Sequence, residues 1–228
     1  MNLEHRLTLI LNPVDKILSS FNTDPDVIKE SAISIQRSAR RLLHLVNQLL
    51  DYRKMDVGMA PLQLENGDAV KFCGDIFALF KGLAAKKSIE YQFITESKHI
   101  TSLFDFDKLE KIITNLISNA IKFTDYGGEI SVFINEVKVD KANTNLLLFK
   151  KNEGENYLEI IVKDTGVGLN KEQLKKYLFT FYNVDVTKTG TGIGLNFTKA
   201  LVELHGGEIF VESEYLKEVS SWCVCLWI

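Results

Sequence analysis

The spacing of apolar residues in the first quarter of the chain predicts two helices. Apolar side chains recur at every third or fourth position from Leu7 to Leu18 and again from Ile28 to Leu50, which is the period of an amphipathic helix. Between the two stretches, Asp24 and Pro25 form a typical helix start, with aspartate as the N-cap and proline in the first turn. We therefore predict a helical hairpin over residues 1–57.

The apolar stripe of this hairpin is wider than two isolated helices can bury. A second copy of the chain would cover it by completing a four-helix bundle, so we predict a homodimer. Packing of the hairpin against the remainder of the same chain is the alternative arrangement.

After the hairpin, residues 58–228 alternate between helical and strand periods. Gly58, Pro61 and Gly67 indicate a linker before the first of these elements. Helices are predicted at Asp68–Lys86, Phe106–Phe123, Lys171–Leu178 and Gly194–Leu204. Strands are predicted around Ile89–Phe93, Ile130–Ile134, Leu146–Phe149, Tyr157–Val162, Glu208–Ser213 and Trp222–Trp227, with the third and fourth forming a hairpin. This order favours an α+β two-layer sandwich, in which helices cover one face of a mixed sheet.

Bulk composition argues against several classes of protein. The 228 residues carry a formal net charge of −3, which gives no reason to expect binding to nucleic acid or to an anionic membrane surface. No apolar run approaches the roughly 20 residues of a membrane-spanning helix, so we expect no direct membrane contact. Three cysteines are too few for a disulfide framework, and no cysteine–histidine set has zinc spacing. These features favour a cytoplasmic location, either of the protein itself or of the cytoplasmic part of a larger protein.

A polar stripe runs along the predicted helix Phe106–Phe123. Asn115, Asn119 and Lys122 are three or four residues apart and therefore share one face, while apolar neighbours can face the core. Amide oxygens can bind Mg²⁺, and a lysine ammonium can pair with phosphate. The stripe predicts a cation–phosphate site, although on its own it fits the outer face of an ordinary helix equally well.

Two glycine-rich segments lie further along the chain. Asp164–Leu169 has the sequence DTGVGL directly after a predicted strand, where the glycines allow a tight turn and the aspartate can accept a hydrogen bond from an exocyclic amine such as that of adenine. Gly190–Leu195 has the sequence GTGIGL and leads into a helix, so its backbone N–H groups can point at phosphate oxygens. Each segment alone is weak to moderate evidence, because simple turns share this composition.

In their order and spacing, these three segments resemble the ATP-binding domain of sensor histidine kinases, within the superfamily shared with gyrase, the mismatch-repair ATPases and the heat-shock chaperones. Leu7–Pro13 and Arg40–Arg53 resemble the two helices of the dimerisation and phosphotransfer hairpin, most like those of hybrid two-component sensors. The resemblance covers nearly the whole chain. It implies an N-terminally incomplete phosphotransfer hairpin in residues 1–57 and a Bergerat-type ATP-binding catalytic domain in residues 58–228.

The resemblance also implies roles for individual residues. Asn115 and Asn119 would belong to the N box, with Asn119 as the Mg²⁺ ligand and Lys122 near the phosphates. Asp164 would bind the adenine amine. The nucleotide-binding set implied in full is Asn115, Asn119, Lys122, Phe123, Asp164, Gly166, Gly168, Tyr182, Gly190, Thr191, Gly192, Ile193, Gly194 and Leu195.

The phosphate-accepting histidine is where the sequence departs from the family pattern. Met1 stands at its expected position, six residues before Leu7, and the usual Glu, Thr and Pro neighbours are absent. His5 follows four residues later, which on a helix is about one turn and ~6 Å of rise. We take His5 as the candidate acceptor, displaced by one turn; the alternative is that the chain begins inside the motif or is altered there.

The function implied is that of a protein-histidine kinase. It would bind ATP and Mg²⁺, pass the γ-phosphate to a histidine and then to an aspartate of a response-regulator receiver domain. The alternative is an ATP-binding dimerisation module that does not phosphorylate itself because the acceptor motif is missing. An ATPase of the chaperone or topoisomerase type is disfavoured, because those proteins have a water-activating glutamate at the position of Asn115, and asparagine cannot act as that base.

Overall fold

The computed structural model describes residues 3–19, 24–56, 61–138, 156–168, 193–214 and 219–227. These residues form two compact units, of which one contains two long helices and the other begins at Pro61 and contains the strands. Within the described ranges, no helix combines the length and the apolar composition that crossing a membrane requires. The roles assigned to the two parts of the chain, and the boundary between residues 57 and 58, remain predictions.

The first unit contains a helical hairpin of α1 (Leu3–Ser19) and α2 (Pro25–Asp56). Asp24 caps the second helix as predicted, because its Oδ1 accepts a hydrogen bond from the N–H of Asp26 at 3.0 Å. Several large apolar side chains of the pair are exposed, among them Leu18 at 77% and Leu43 at 60%. The two helices therefore present an apolar surface that they do not cover themselves.

The described residues of the second unit form a five-stranded mixed sheet and a two-stranded ribbon. The strands are β1 (Glu65–Asp68), β2 (Glu90–Ile94), β3 (Thr101–Phe104), β4 (Glu129–Lys138), β5 (Asn156–Asp164), β6 (Glu208–Glu214) and β7 (Val219–Trp227). The sheet has the order β2-β4-β5-β7-β6; β2 runs parallel to β4, and the other neighbours are antiparallel. The ribbon pairs β1 with β3.

The helices that accompany the strands are α3 (Ala69–Lys86), α4 (Phe106–Phe123) and α5 (Ile193–Leu204). Asp68 and Asp105 are the N-caps of α3 and α4, and each carboxylate accepts a hydrogen bond from a backbone N–H of the first turn. The observed bounds of α4 are those that the apolar period predicts.

A continuous apolar core lies between α4 and the sheet. Alternate residues of the two central strands are fully buried: Ile130, Val132 and Ile134 in β4, and Leu158, Ile160 and Val162 in β5. β5 meets the apolar side of α4, which buries Leu109, Ile112, Ile113, Leu116, Ile117, Ala120 and Ile121. This mixed sheet with its helices confirms the predicted fold class.

Two strands are not predicted from the sequence pattern. β1 and β3 have four residues each, too few to show a period, and Gly67 lies in β1 and not in a linker. Two predicted elements, the strand Leu146–Phe149 and the helix Lys171–Leu178, lie outside the described residues.

Candidate functional site

Helix α4 carries three of the polar residues that the sequence pattern selects. Asn115 and Asn119 are half-buried and Lys122 is exposed, in contrast to the fully buried apolar side of the same helix. The Nζ of Lys122 lies 4.5 Å from the centroid of the Phe123 ring, within the range of a cation–π contact. The helix thus presents two amides and a cation away from the core.

Asn115 is tied to helix α5. Its Nδ2 donates a hydrogen bond to the Oγ1 of Thr198 over 2.6 Å. Thr198 lies in the middle of α5 and has no exposed surface. This bond joins the helix that bears the asparagines to the helix that follows the second glycine-rich segment.

Asp164 is the last residue of β5 and is only 5% exposed. Its Oδ1 accepts a hydrogen bond of 2.9 Å from the N–H of Gly166, which closes a tight turn. Burial raises the pKa of Asp164 to about 6, although the Gly166 hydrogen bond acts in the opposite direction. A buried carboxyl with one oxygen engaged in this way keeps its second oxygen for a donor on a ligand.

The turn after Asp164 packs against the C-terminal end of α4. A Cβ atom at Gly166 would lie 2.7 Å from the carbonyl oxygen of Phe123 and 2.7 Å from Asp164 Oδ1, so this approach requires glycine. Gly168 has a φ of +66°, in the left-handed region that glycine adopts without strain. The glycines of this segment therefore bring Asp164 next to the helix that carries Asn115 and Asn119.

Lys87 holds the same end of α4 from the side of the α3–β2 connection. Its Nζ donates hydrogen bonds to three carbonyl oxygens, those of Ile121 (2.9 Å), Lys122 (3.3 Å) and Thr124 (2.8 Å). The last carbonyls of a helix have no partner within the helix, and a cation there also interacts favourably with the helix dipole. The backbone to which Gly166 is fitted is thereby fixed.

Asp105 and His205 hold the N-terminal end of α4. Asp105 is buried, and its carboxylate accepts hydrogen bonds from the backbone N–H groups of Lys108 and Gln63. Its own N–H donates to Nε2 of His205 over 3.3 Å, while Nδ1 of His205 lies 2.8 Å from the carbonyl oxygen of Leu201. Both contacts are satisfied by a neutral imidazole with its hydrogen on Nδ1. Burial lowers the pKa of His205, which favours this neutral form.

The predicted site residues are therefore distributed as follows. The contact between Phe123 and Gly166 brings the α4 residues and the Asp164–Gly168 turn together. The first residues of α5 are Ile193, Gly194 and Leu195. Four predicted residues lie outside the described part of the chain: Tyr182, Gly190, Thr191 and Gly192. His5 lies in α1, and its side chain is outside the described part as well.

Three residues that the sequence pattern does not select take part in this arrangement. The sequence around Thr198 could have identified it, because a hydroxyl-bearing residue there lies beside the apolar residues Phe197 and Leu201, which are buried. The sequence around Lys87 or His205 could not have identified them. The partners of Lys87 are 34 or more positions away along the chain, and Asp105 is 100 positions away from His205.

The donor set on α4 suits Mg²⁺ better than zinc. Among the described residues, no group of three or more histidine, cysteine, aspartate or glutamate side chains is placed to hold a metal ion. Mg²⁺ prefers oxygen ligands, keeps several of its waters and takes few ligands from the protein when it is bound with a nucleotide. Amide oxygens such as that of Asn119 meet this requirement.

Residues 104–226, more than half of the chain, match the family described as histidine kinase-, DNA gyrase B- and HSP90-like ATPases. The chain belongs to this ATPase family. Proteins named histidine kinases are also similar to it over most of its length. Hybrid signal transduction histidine kinase D of Dictyostelium discoideum is 34% identical over 212 residues, which are 91% of this chain and 13% of that protein. The resemblance to sensor histidine kinases is thus confirmed.

Solved structures support the fold of this ATPase-family chain. Histidine kinase ThkA in complex with response regulator protein TrrA matches with a TM-score of 0.71 and 17% identity, over 98% of this chain and 58% of that one. Full-length ShkA in complex with AMPPNP matches with a TM-score of 0.68 and 22% identity, over 98% of this chain and 43% of that one. The chain spans 13% to 35% of the length of the curated relatives compared with it.

Proposed function

We propose that this chain is the catalytic core of a sensor histidine kinase. It binds ATP with Mg²⁺ and transfers the γ-phosphoryl group to a histidine, after which the group passes to an aspartate in the receiver domain of a response regulator. The observation that carries this proposal is the junction at Phe123 and Gly166, where a buried aspartate of raised pKa adjoins an asparagine-bearing helix in a member of an ATPase family.

Asp164 is the residue to which we assign adenine recognition. Its Oδ1 is held by the N–H of Gly166, so the carboxyl group has a fixed orientation and a second oxygen for the exocyclic amine. Only the ionised carboxylate offers that oxygen with its full acceptor strength, and the pKa of about 6 leaves most of the group ionised at neutral pH.

Asn119 and Lys122 are the residues to which we assign the phosphate end of the nucleotide. The Asn119 amide oxygen would hold Mg²⁺, which neutralises phosphate charge during transfer, and Lys122 would pair with a phosphate oxygen. We assign Gly190, Thr191, Gly192 and the start of α5 to the phosphate site as well, and Tyr182 to the nucleotide pocket.

Asn115 favours phosphoryl transfer over hydrolysis. A neutral amide cannot take a proton from water, and the Asn115 amide nitrogen already donates to Thr198. In the transfer we propose, the bond between the γ-phosphorus and its bridging oxygen breaks as a bond to an imidazole nitrogen forms, and ADP leaves.

The helical hairpin is the part that we assign to dimerisation and phosphate acceptance. Its exposed apolar side chains, Leu43 and Leu50 among them, support a four-helix bundle with a second copy. His5 of α1 is the candidate acceptor in the chain. The ThkA complex with its response regulator supports a receiver domain as the partner, and the need for ATP supports a cytoplasmic location.

Two experiments test the proposal. Calorimetric titration of the chain with ADP in Mg²⁺ tests nucleotide binding, with Asp164→Ala and Asn119→Ala as the variants that should lose affinity. Incubation with γ-labelled ATP then tests phosphorylation, and label that is acid-labile and absent from His5→Ala identifies the acceptor. Absence of ADP binding would refute the proposal.

Binding without label would instead favour the second candidate, a nucleotide-binding dimerisation module that lacks its own acceptor. The observation favouring it is that Asn2, His5 and Arg6 stand where the family pattern has the Glu, Thr and Pro that accompany the accepting histidine. A mixture of this chain with a kinase-dead partner carrying an intact acceptor histidine separates the two, because a competent catalytic domain would label the partner.

A further inference from the structure

Thr198 places a hydroxyl group on the buried side of α5. The residue has no exposed surface, and its neighbours on that side of the helix, Phe197, Leu201 and Val202, are at most 3% exposed. A polar group costs free energy in such a place unless it is hydrogen-bonded, and the bond from Asn115 is one that Thr198 accepts there.

The bond fixes which end of the Asn115 amide is engaged. The nitrogen Nδ2 is the donor and Thr198 Oγ1 is the acceptor, at 2.6 Å. The hydroxyl of a helical threonine commonly donates its hydrogen to a carbonyl of the preceding turn, which leaves its oxygen as an acceptor. With one N–H of Nδ2 bound to α5, the Asn115 amide is held in one orientation. Its oxygen Oδ1 is then directed away from Thr198, and within the described residues no hydrogen bond to this oxygen is formed.

We propose that Thr198 is a positioning residue for the metal–nucleotide complex: it holds the Asn115 amide with its oxygen turned towards bound Mg²⁺ and phosphate. This inference rests on the proposed nucleotide-binding function. An amide turned the other way would present two N–H donors to the cation, and the repulsion would weaken binding of the metal complex while leaving the adenine contacts unchanged.

The test compares two substitutions of Thr198 in the full chain. Thr198→Val keeps the shape and removes the hydroxyl, whereas Thr198→Ser keeps the hydroxyl. ADP affinity is measured by calorimetry in Mg²⁺ and again in EDTA. Thr198→Val should weaken binding about tenfold in Mg²⁺ and less than about twofold in EDTA, since loss of a group that orients a metal ligand typically costs 10- to 100-fold in metal affinity. Thr198→Ser should restore the Mg²⁺ response.

Other results would overturn the inference. Equal weakening by Thr198→Val in Mg²⁺ and in EDTA would indicate a merely structural role, and unchanged affinity would indicate none. A wild-type chain that binds ADP equally well with and without Mg²⁺ would also overturn it while leaving nucleotide binding intact. A wild-type chain that does not bind ADP would remove the proposed function itself. Tryptophan fluorescence checks folding, and Thr198→Ala carries the same prediction if the valine variant does not fold.

Discussion

The two ends of α4 are both fixed by residues distant in sequence, but by different means. At the C-terminal end, Lys87 binds three carbonyl oxygens and Gly166 fits against the carbonyl of Phe123. At the N-terminal end, the ties are a buried aspartate, Asp105, and a neutral histidine, His205. One end is thus held through backbone fit and a lysine, and the other through groups whose protonation matters.

The two ends of α4 are therefore expected to affect different properties, nucleotide binding at one end and stability at the other. The C-terminal end leads directly to Asp164 through the turn at Gly166, whereas the N-terminal end leads to the last turn of α5. We therefore expect changes at the C-terminal end to alter nucleotide affinity, and changes at the N-terminal end to alter the free energy of unfolding and its dependence on pH.

The largest effect is expected for Gly166→Ala. The new methyl group would overlap the Phe123 carbonyl and the Asp164 carboxylate at 2.7 Å, so backbone must move, at a cost of about 1–3 kcal/mol. ADP affinity should fall at least about tenfold, because a displacement on the order of 1 Å moves Asp164 from its fixed orientation. Calorimetry and urea unfolding measure the two effects.

Gly82→Ala is the matched control for that substitution. Gly82 lies within α3, and a Cβ atom there would meet nothing within 4 Å. Alanine should stabilise the helix by about 0.5–1 kcal/mol and leave ADP affinity unchanged. If both glycine variants bind ADP like the wild type, the fit at Gly166 has no part in the site.

Lys87→Met should have the next largest effect. It leaves three carbonyl oxygens at the end of α4 without their donor, and we expect a loss of about 1–2 kcal/mol, reduced from the full value because Lys87 is partly exposed. Both tryptophans, Trp222 and Trp227, lie in β7, so tryptophan fluorescence during urea unfolding reports on the α+β unit.

The neighbouring Lys86 provides the comparison for Lys87. It is exposed in the last turn of α3, and Lys86→Met should cost less than about 0.5 kcal/mol. ADP affinity should fall with Lys87→Met and not with Lys86→Met. Equal results for the two lysines would mean that the C-terminal end of α4 does not depend on its cation.

Asp164 predicts a pH dependence of nucleotide affinity. With a pKa of about 6, about a quarter of these carboxyls are ionised at pH 5.5, so ADP should bind roughly fourfold more weakly there than at pH 7.5. Asp164→Asn is the control, because its remaining pH dependence belongs to the ADP phosphates. If the ratio of wild-type to variant affinity is the same at both pH values, the carboxylate does not bind the nucleotide.

The raised pKa of Asp164 affects the stability of the unliganded protein in the opposite direction: acid weakens nucleotide binding but stabilises the fold. The native carboxyl takes up a proton before the unfolded one, whose pKa is near 3.8. As far as Asp164 is concerned, the free energy of unfolding therefore rises as the pH falls from about 6 towards 4.

The smallest effect is expected for His205→Gln, and we expect it to change the free energy of unfolding without changing ADP affinity. The pKa of His205 is lowered by burial, so its contribution to stability is fully present above the ordinary histidine pKa of 6.5 and decreases as the pH falls below that value. His205→Gln can still accept from the N–H of Asp105 but does not titrate. Unfolding of the two proteins between pH 8 and pH 5 should show the steeper loss in the wild type, with ADP affinity at pH 7.5 unchanged.

An equal slope in both proteins would contradict this assignment. Asp105 and Lys108 face the imidazole, and their charges act on its pKa in opposite directions. Titration of Asp105 does not affect the comparison of wild type with His205→Gln. Burial raises the pKa of Asp105, but hydrogen bonds from Lys108 and Gln63 outweigh this effect and hold the pKa below its ordinary value. Asp105 therefore titrates at lower pH than the range measured.

Much of this helix could be predicted from the sequence, because its determinants are local. The apolar period of Phe106–Phe123 places one face in the core and Asn115 and Asn119 off it, and an aspartate at a strand end followed by glycines predicts the turn at Asp164. The resemblance to histidine kinases then gives these residues their proposed roles, which remain to be tested.

The ties that fix the helix could not be predicted in this way. Thr198 meets Asn115 across 83 positions, and His205 meets Asp105 across 100, so the sequence around either residue does not identify its partner. The ribbon of β1 and β3 is missed for the same reason, since its four-residue strands are stabilised by pairing with each other and not by a visible period.

The sheet order also determines when the domain can be completed during synthesis. β7 is inserted between β5 and β6, although it follows both in the chain. A ribosome that has released β6 but not β7 therefore carries a nascent chain in which, among the described strands, β5 has an open edge and β6 lacks its neighbour. Unpaired strand edges promote aggregation, so we expect the nascent chain to be prone to aggregation during the interval between synthesis of these two strands.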